Sequence, residues 1–377
     1  MKFWLRDNVV RAYMMMCRIY PINNKMFVFK SDRGGGCTDS PLCLFETLRE
    51  KYPDYEAVWV LNDPSQKPDG AKAVKEGSFA EVKALATAGF WVDNKRKGCW
   101  TIKRKGQKYI QTWHGPIALK RVEKDIEDKL PPYYVKSCKH DSKIVDYFLS
   151  GSKWTTDFYR RSFWYDGEIL ELGIPRSDKL FRDPDDMIRK IHEIYGLENS
   201  VRLILYAPTF RDDGRRDVYC MDYHKVVDAM RERFGGEWKI IVRMHPNMQK
   251  EKGIVTFDDE VLNGNLVEDI GDLIMSSDLL ITDYSSCMFD AMEAGRKVLI
   301  FALDIEMYRE DRGFAMPMED LPFEIAENNG EILEMIRSFD EKAYADKVKA
   351  FSDKIGILDD GNASVKILEY LLGSDAK

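Results

Sequence analysis

The sequence predicts an α/β fold with two doubly wound parallel-sheet domains. Short apolar runs, typical of buried strands, alternate along the chain with stretches of helical periodicity, which is the pattern of parallel sheets. At 377 residues the chain exceeds the length of an ordinary single domain. Polar residues follow several predicted strands, at the sheet edge where such folds bind ligands. We therefore expect an active-site cleft between the two domains and helices that close the C-terminal end.

The composition is that of an ordinary globular protein, with 44% hydrophobic and 32% charged residues and a net charge of −7. Seven cysteines without a CxxC pair, and no signal peptide, predict a reducing cytoplasm with neither disulfides nor a zinc site. No apolar run reaches the roughly 20 residues of a membrane span. Residues 1–35 carry seven basic and two acidic residues, and residues 95–108 carry seven basic and none acidic. Such charge suits an anionic membrane or a phosphate-bearing substrate, although a solvated basic face explains residues 95–108 equally well.

Residues 2–20 have the pattern of an amphipathic helix that ends at Pro21. One face carries the apolar residues Leu5, Val9, Ala12 and Met16, with Phe3 and Trp4 beside them. Asp7, Arg11 and Arg18 fall on the opposite face, and Lys2, Arg6, Arg11 and Arg18 supply basic charge. Such a helix lies on an anionic membrane surface. A first helix packed on its own domain is an equally good interpretation.

In the first series, strands are predicted at residues 26–30, 57–61, 89–93, 108–111 and 147–149. Helices are predicted at residues 41–51, 78–88 and 153–162, with a charged helical region at 120–145. In the second series, strands are predicted at residues 169–172, 203–207, 239–242, 279–281 and 298–301. Helices are predicted at residues 185–195, 222–234, 286–294, 331–339, 341–353 and 361–372. The expected division is a helix at 1–20, α/β domains at 21–168 and 169–340, and C-terminal helices at 341–377.

The rest of the chain is organised around the segment 279–301, which is predicted to form a strand, a polar turn, a helix that ends at a glycine, and a second strand. Ser285 and Ser286 stand where the helix begins, and a helix N-terminus with free N–H groups suits a phosphate. Two of the five histidines, His114 and His245, follow predicted strands beside Gly or Pro, one in each domain. His140, His192 and His224 lie in polar helical stretches and are expected at the surface. With no carboxylate or histidine cluster at a strand end, these residues favour metal-independent group transfer.

Six motifs occur in order along the chain. They are TWHG (112–115), GIPRSD (173–178), YAPTFR (206–211), RMHP (243–246), ITDYSS (281–286) and YREDRGF (308–314). Together they resemble the CDP-glycerol glycerophosphotransferase family, the primases and polymerases of teichoic acid and related capsular polymers. The resemblance covers roughly residues 20–325.

The resemblance implies a GT-B fold with no cofactor and no required metal. It implies transfer of a polyol phosphate, most simply glycerol phosphate, from a CDP-activated donor to a hydroxyl of a lipid-linked or glycan acceptor, with release of CMP. The expected location is peripheral, on the cytoplasmic face of the bacterial cell membrane, with an anionic membrane surface and no nucleic acid as partner. Without the extra N-terminal domain of long polymerases, a one-step primase or a compact capsule transferase is expected.

By motif, the resemblance makes the first domain the acceptor side and the second the donor side. His114 corresponds to the general base on the acceptor hydroxyl, and His245 to a ligand of the donor diphosphate. Donor binding is further assigned to Thr209, Arg211, Arg243, Asp283, Ser285, Ser286 and Arg312, and the acceptor side to Trp113 and Gly115. Two alternatives stay open: a nucleotide-sugar glycosyltransferase of the GT-B fold, and a non-catalytic scaffold at the membrane periphery.

Overall fold

The computed structural model describes residues 2–211, 214–245, 248, 253–311 and 313–373. The chain divides into two compact units. Unit 1 comprises Met1–Pro116, Val122–Lys179 and Gly356–Lys377. Unit 2 comprises Ile117–Arg121 and Leu180–Ile355. Each unit is built on its own parallel sheet, as the alternation of strands and helices predicts.

The strands of unit 1 are β1 (Asn23–Lys30), β2 (Glu56–Leu61), β3 (Lys72–Lys75), β4 (Ala88–Asp93), β5 (Lys108–Gln111), β6 (Tyr147–Leu149) and β7 (Glu168–Leu170). They form a parallel sheet in the order β3-β2-β1-β4-β5-β6-β7. Its first helices are α1 (Lys2–Met16), α2 (Asp39–Lys51), α3 (Phe79–Thr87), α4 (Pro132–Ile144) and α5 (Lys153–Ser162). Apolar side chains such as Phe27, Phe29 and Trp59 are fully buried. Strands covered on both faces require such continuous apolar runs.

The strands of unit 2 are β8 (Arg202–Ala207), β9 (Trp238–Val242), β10 (Val261–Asn263), β11 (Leu279–Thr282), β12 (Lys297–Phe301) and β13 (Ile325–Ala326). They form a second parallel sheet in the order β10-β9-β8-β11-β12-β13. Its helices are α6 (Asp185–Tyr195), α7 (Tyr223–Phe234), α8 (Ile270–Ser276), α9 (Cys287–Glu293), α10 (Ile305–Asp311), α11 (Asn329–Arg337) and α12 (Glu341–Ile355). The order reverses at β8, so the ends of β8, β9 and β11 lie at the topological switch point, where such sheets bind ligands.

Two segments belong to unit 1 that the sequence assigns elsewhere, one to the second domain and one to the separate C-terminal helices at 341–377. Residues 169–172 are predicted to open the second sheet, but β7 pairs with β6 in the first. The last helix, α13 (Ala363–Leu372), packs on α2 and buries Ile367 and Leu368 in the core of unit 1. Both errors have one cause: an apolar pattern shows that a segment is buried, and not which sheet covers it. The chain therefore leaves unit 1 after Lys179 rather than at residue 168.

Helix α1 packs on unit 1 through one side only. Met14 is buried, and the ring of Tyr13 meets that of Phe79 edge-on with centroids 4.6 Å apart. The predicted apolar face consists of Leu5, Val9, Ala12 and Met16. This face is open to solvent, with Leu5 and Met16 62% and 67% exposed. The helix is thus docked on its own unit and still presents an apolar outer face.

The basic residues at positions 95–108 do not form a solvated face, which was one of the two interpretations of their charge. Arg96 and Lys97 are paired with buried carboxylates. Lys103 pairs with Asp146, and Arg104 and Lys108 donate to backbone carbonyls of unit 1. Most of this charge therefore stabilises unit 1 internally.

All seven cysteines are unpaired in the structure. None of the described helices combines the length and the apolar character that crossing a bilayer requires.

Candidate active site

A tight turn after β5 places His114. Trp113 and Gly115 on either side of it have positive φ angles of 55° and 87°. The side chain of Gln111 accepts a hydrogen bond from the Trp113 amide at 3.0 Å, and the Thr112 hydroxyl donates to the Trp113 carbonyl at 3.0 Å. A left-handed tryptophan is strained by about 1–3 kcal/mol, and such strain persists only where the surroundings impose it. The turn leaves Trp113 buried and His114 exposed.

The surroundings of His114 select its neutral form and its tautomer. Nδ1 lies 3.3 Å from the carbonyl oxygen of Asn94, which can only accept, so Nδ1 carries the proton. Nε2 makes no hydrogen bond with any described residue and is left with its lone pair. Desolvation of the ring, together with the Lys95 ammonium, lowers its pKa to about 4, although Asp39 acts in the opposite direction. At neutral pH the side chain is therefore an unprotonated imidazole, the form that a general base requires.

Asn94 joins the His114 turn to the glycine-rich turn after β1. Its side-chain oxygen accepts from the backbone amide of Asp32 at 2.9 Å, and its side-chain nitrogen donates to Asp39 at 3.0 Å. Asp32 and Asp39 have positive φ angles of 45° and 61°, as does Arg33 at 57°. Asn94 is fully buried, and its hydrogen bonds fix both the strained turn after β1 and the His114 ring.

The buried side chain of Arg96 packs against the ring of Trp113. The Arg96 guanidinium donates two hydrogen bonds to Glu123, at 2.7 and 2.8 Å, and one to Asp141 at 3.1 Å. It lies 5.6 Å from the centroid of the Trp113 ring and 4.7 Å from that of Phe163. The Trp113 and His114 rings stack with centroids 4.4 Å apart. The contacts of Arg96 with the Trp113 ring therefore also fix the position of the His114 ring.

In unit 2, the loops after β8 and β11 are tied together. The carboxylate of Asp283 accepts from the Thr209 amide at 2.8 Å and pairs with Arg211 at 2.9 Å. Arg211 also donates to both oxygens of Asp304, at 2.8 and 2.9 Å. The structure therefore brings together Thr209, Arg211 and Asp283. It also occupies the guanidinium of Arg211 with buried carboxylates, and these hydrogen bonds and charges keep its pKa raised despite burial.

The second predicted cation, Arg243, is likewise engaged by the protein. Its guanidinium donates to the carbonyls of Gly264, Val267 and Glu268. Burial of the guanidinium lowers its pKa, although the charge of Asp269 acts in the opposite direction. Arg243 thus holds the segment after β10 against the end of β9, and its first role is to shape that loop.

His245 follows β9 and has an exposed ring. It stacks on Phe210 with centroids 5.8 Å apart, and partial burial and the Lys120 ammonium lower its pKa. The Lys120 Nζ lies 5.2 Å from the centroid of the Tyr308 ring. A cation beside His245 therefore comes from the short segment Ile117–Arg121, whose residue 120 pairs with Phe314.

The paired serines stand where the sequence places them, between β11 and α9. Both are half-buried, and the Ser285 hydroxyl accepts from the Cys287 amide at 3.4 Å. Ser286 is the first residue before α9 and makes no side-chain capping bond in the described structure. Arg312 lies outside the described residues.

Within the described ranges, no group of three or more His, Cys, Asp or Glu side chains could hold a metal ion. Independence from a metal stays a prediction.

The chain matches the family model of CDP-glycerol:poly(glycerophosphate) glycerophosphotransferase over residues 12–373. It belongs to this family. The motifs that carry the resemblance thus identified the family correctly from sequence.

Matches to individual proteins support the same family. The chain is 32% identical to a teichoic acid poly(glycerol phosphate) polymerase of Staphylococcus epidermidis, over 91% of this chain and 50% of that protein, so it spans about half of that relative. It is 31% identical to a teichoic acid glycerol-phosphate transferase of Staphylococcus aureus, with 93% of each chain covered. The solved structure of the wall teichoic acid polymerase TagF superimposes with a TM-score of 0.83 at 31% identity, covering 98% of this chain and 94% of that one. These matches confirm the GT-B-like fold class.

Several site residues were missed by sequence reasoning. Asn94, Asp304 and Lys120 have no motif that marks them. Each acts on a predicted residue from a distant part of the chain, as Asp304 does on Arg211, 93 residues earlier. Only their position after a strand, as for Asn94 after β4, offered a signal. The expectation that His192 is a surface residue was wrong: it is buried, and its ring nitrogens bond the carbonyls of Ile188 and Val201.

Proposed function

We propose that this chain transfers glycerol phosphate from CDP-glycerol to a hydroxyl of a polyol-phosphate or lipid-linked glycan acceptor in teichoic acid-type polymer synthesis, releasing CMP. The observation that carries the proposal is His114, which is held neutral with Nδ1–H on the Asn94 carbonyl and whose Nε2 bonds none of the described residues. Family membership supports the donor, and the related TagF has been solved after soaking with CDPG.

In the proposed step, an acceptor hydroxyl oxygen attacks the phosphorus that carries glycerol in CDP-glycerol. A new acceptor oxygen–phosphorus bond forms, and the bond from that phosphorus to the bridging oxygen of the diphosphate breaks. The bridging oxygen and its electron pair leave with CMP. His114 Nε2 takes the proton of the attacking hydroxyl, a contribution that is typically about 10²–10⁴-fold in rate.

On the donor side, His245 and the serines Ser285 and Ser286 are the groups we assign to the diphosphate. The imidazole is exposed, and the hydroxyls stand at the start of α9. We assign the nucleotide to the loops after β8 and β11, which carry Thr209, Arg211 and Asp283, and Arg211 holds these loops together through Asp283 and Asp304. Arg243 orders the loop after β10, and Arg312 is assigned by motif alone. On the acceptor side, Trp113 and Gly115 set the position of His114.

We further propose that the enzyme works on the cytoplasmic face of the membrane as a peripheral protein. The exposed apolar face of α1 supports this, since Leu5, Val9 and Met16 lie open to solvent. Exposed apolar residues flanked by arginines suit the interface of an anionic bilayer.

The proposal is tested by measuring CMP release from CDP-glycerol with His114→Ala and His245→Ala. We expect His114→Ala to lose at least about a hundredfold in turnover with donor affinity retained, since a base acts in the chemical step. His245→Ala is expected to weaken donor binding as well. Near-normal turnover in His114→Ala would refute the assignment. Inhibition by UDP rather than CMP would instead indicate a nucleotide-sugar donor.

A further inference from the structure

Two of the arginines that the motifs assign to the donor are occupied by the protein itself. The guanidinium of Arg211 pairs with both Asp283 and Asp304. Arg215 lies 3.9 Å from Asp304 and adds a second positive charge against these two negative ones. The donor groups of Arg243 are taken by three backbone carbonyls. Because the diphosphate of the donor is an anion, a cation other than these guanidiniums would strengthen its binding.

The segment Ile117–Arg121 brings a lysine into unit 2. Lys120 forms an isolated antiparallel bridge with Phe314, the last residue of the YREDRGF motif. Beside this bridge, the amide of Ala315 donates to the Leu119 carbonyl at 2.8 Å. The position of Lys120 is therefore set by main-chain pairing, which a substitution of its side chain leaves in place.

The ammonium of Lys120 lies close to two groups that we assign to the diphosphate. Its Nζ is 5.2 Å from the centroid of the Tyr308 ring. That ring stacks on Tyr284 with centroids 3.8 Å apart, and Tyr284 directly precedes Ser285 in the loop after β11. Partial burial and the Lys120 charge both lower the pKa of His245, so the same charge also acts on the histidine. One cation thus stands near the serine loop and near His245.

We propose that Lys120 is a ligand of the donor diphosphate and stabilises the negative charge that develops on the departing CMP. In the transfer step the bridging oxygen leaves the glycerol-bearing phosphorus with the electron pair of that bond, so charge accumulates on the CMP phosphate. A fixed ammonium stabilises this charge and stays protonated throughout. The proton of the acceptor hydroxyl goes to His114, and none is required from Lys120. The inference rests on the proposed function and deepens it by adding a residue to the donor side.

The competing role for Lys120 is structural, as a cation over the Tyr308 ring that keeps its own segment in place. The two roles differ in what a loss of charge does to binding. A phosphate ligand affects nucleotides and spares the nucleoside, whereas a structural residue affects both alike.

The test measures binding of CDP-glycerol and CMP to the full chain without acceptor by calorimetry, and of the weaker ligand cytidine by ligand-observed NMR. Lys120→Gln should weaken CDP-glycerol and CMP by about ten- to a hundredfold, the range for a hydrogen bond to a charged group, and leave cytidine unchanged. Lys120→Arg keeps the charge and should recover most of the loss. With acceptor present, kcat/KM for CMP release by Lys120→Gln should fall by at least the factor seen in CDP-glycerol binding. The matched control is Lys342→Gln, which removes an exposed lysine of α12 in the same unit.

Equal affinity of the wild type and Lys120→Gln for CDP-glycerol would overturn the proposal. An equal loss of affinity for cytidine would also overturn it, because Lys120 would then support the loop rather than the phosphates. If the wild type bound neither nucleotide, both this proposal and the proposed donor would fall. Failure of the proposed transfer alone would appear as absence of CMP release by the wild type with every acceptor, while the binding comparison would still decide whether Lys120 is a phosphate ligand.

Discussion

Asp304 connects the loop after β12 to the loop after β8, and neutralising it should loosen the proposed donor site. Its carboxylate accepts from Arg211 at 2.8 and 2.9 Å and from the Tyr284 hydroxyl at 2.9 Å. The side chains of Arg211 and Asp304 are 5% and 4% exposed, so water does not replace a lost bond. Burial alone raises the pKa of Asp304, but the hydrogen bonds and charge of Arg211, the Tyr284 hydroxyl and the charge of Arg215 together outweigh burial and hold the pKa below its ordinary value.

Asp304→Asn keeps the shape of the side chain and removes its charge. A hydrogen bond to a charged group contributes about 1.5–3 kcal/mol, and Arg211 retains its contact with Asp283 at 2.9 Å. We therefore expect the free energy of unfolding of unit 2 to fall by about 2–4 kcal/mol, somewhat less than for a fully unpaired buried charge. For a unit of this size the midpoint of thermal unfolding should fall by on the order of 10 °C, measured by calorimetry at pH 7.

The matched control is Asp320→Asn, which removes an exposed carboxylate 3.9 Å from Lys354 and should change stability by less than about 0.5 kcal/mol. The pH dependence has a defined sign. Because the folded-state pKa of Asp304 is lowered, its contribution is present above the unfolded-state pKa and is lost as the pH falls through the folded-state value. The difference between wild type and variant should therefore shrink below about pH 4. An unchanged midpoint at pH 7, or a difference that does not depend on pH, would refute this reasoning.

Three further predictions follow from other parts of the molecule. Turnover should persist in excess chelator, because we assign no metal to the reaction; complete loss that Mg²⁺ or Mn²⁺ restores would contradict this. Leu5→Ser/Val9→Ser should reduce sedimentation with anionic vesicles and leave the unfolding midpoint unchanged, whereas a lowered midpoint would show that this face is core. Asn94→Ala should lower kcat with little change in the KM for CDP-glycerol, because it removes the side-chain hydrogen bonds that hold the turn beside His114. An unaltered kcat would show that Asn94 does not position the base.

The strand-and-helix alternation and the polar strand ends were predictable from sequence because both depend on local pattern. His114, Thr209, Asp283 and Ser285 lie after β5, β8 and β11 as expected, since chain order places the ends of parallel strands on one edge of a sheet. Family membership also followed, from six short motifs in order.

What the sequence did not show depends on contacts between distant residues. Arg211 was expected to be available for phosphate, and only the fold brings Asp304 to it. The exposed face of α1 follows the predicted periodicity, but its docked side is set by Met14 against unit 1. The strand at 168–170 has the same apolar character whichever sheet it joins, so its place in the first sheet is a property of the whole unit.

His114 acts in this reaction as a neutral base with a lowered pKa, and the pH dependence of kcat/KM for CMP release tests this most directly. A base must be unprotonated, so activity falls as the pH drops through the His114 pKa. With that pKa near 4, below the ordinary 6.5, kcat/KM should stay level from pH 7 to about pH 5 and decline only below it. Lys95→Gln should move this decline to higher pH, because it removes a cation that disfavours imidazolium. A wild-type decline centred at pH 6.5 or above, or one unchanged in the residual activity of His114→Ala, would contradict the account.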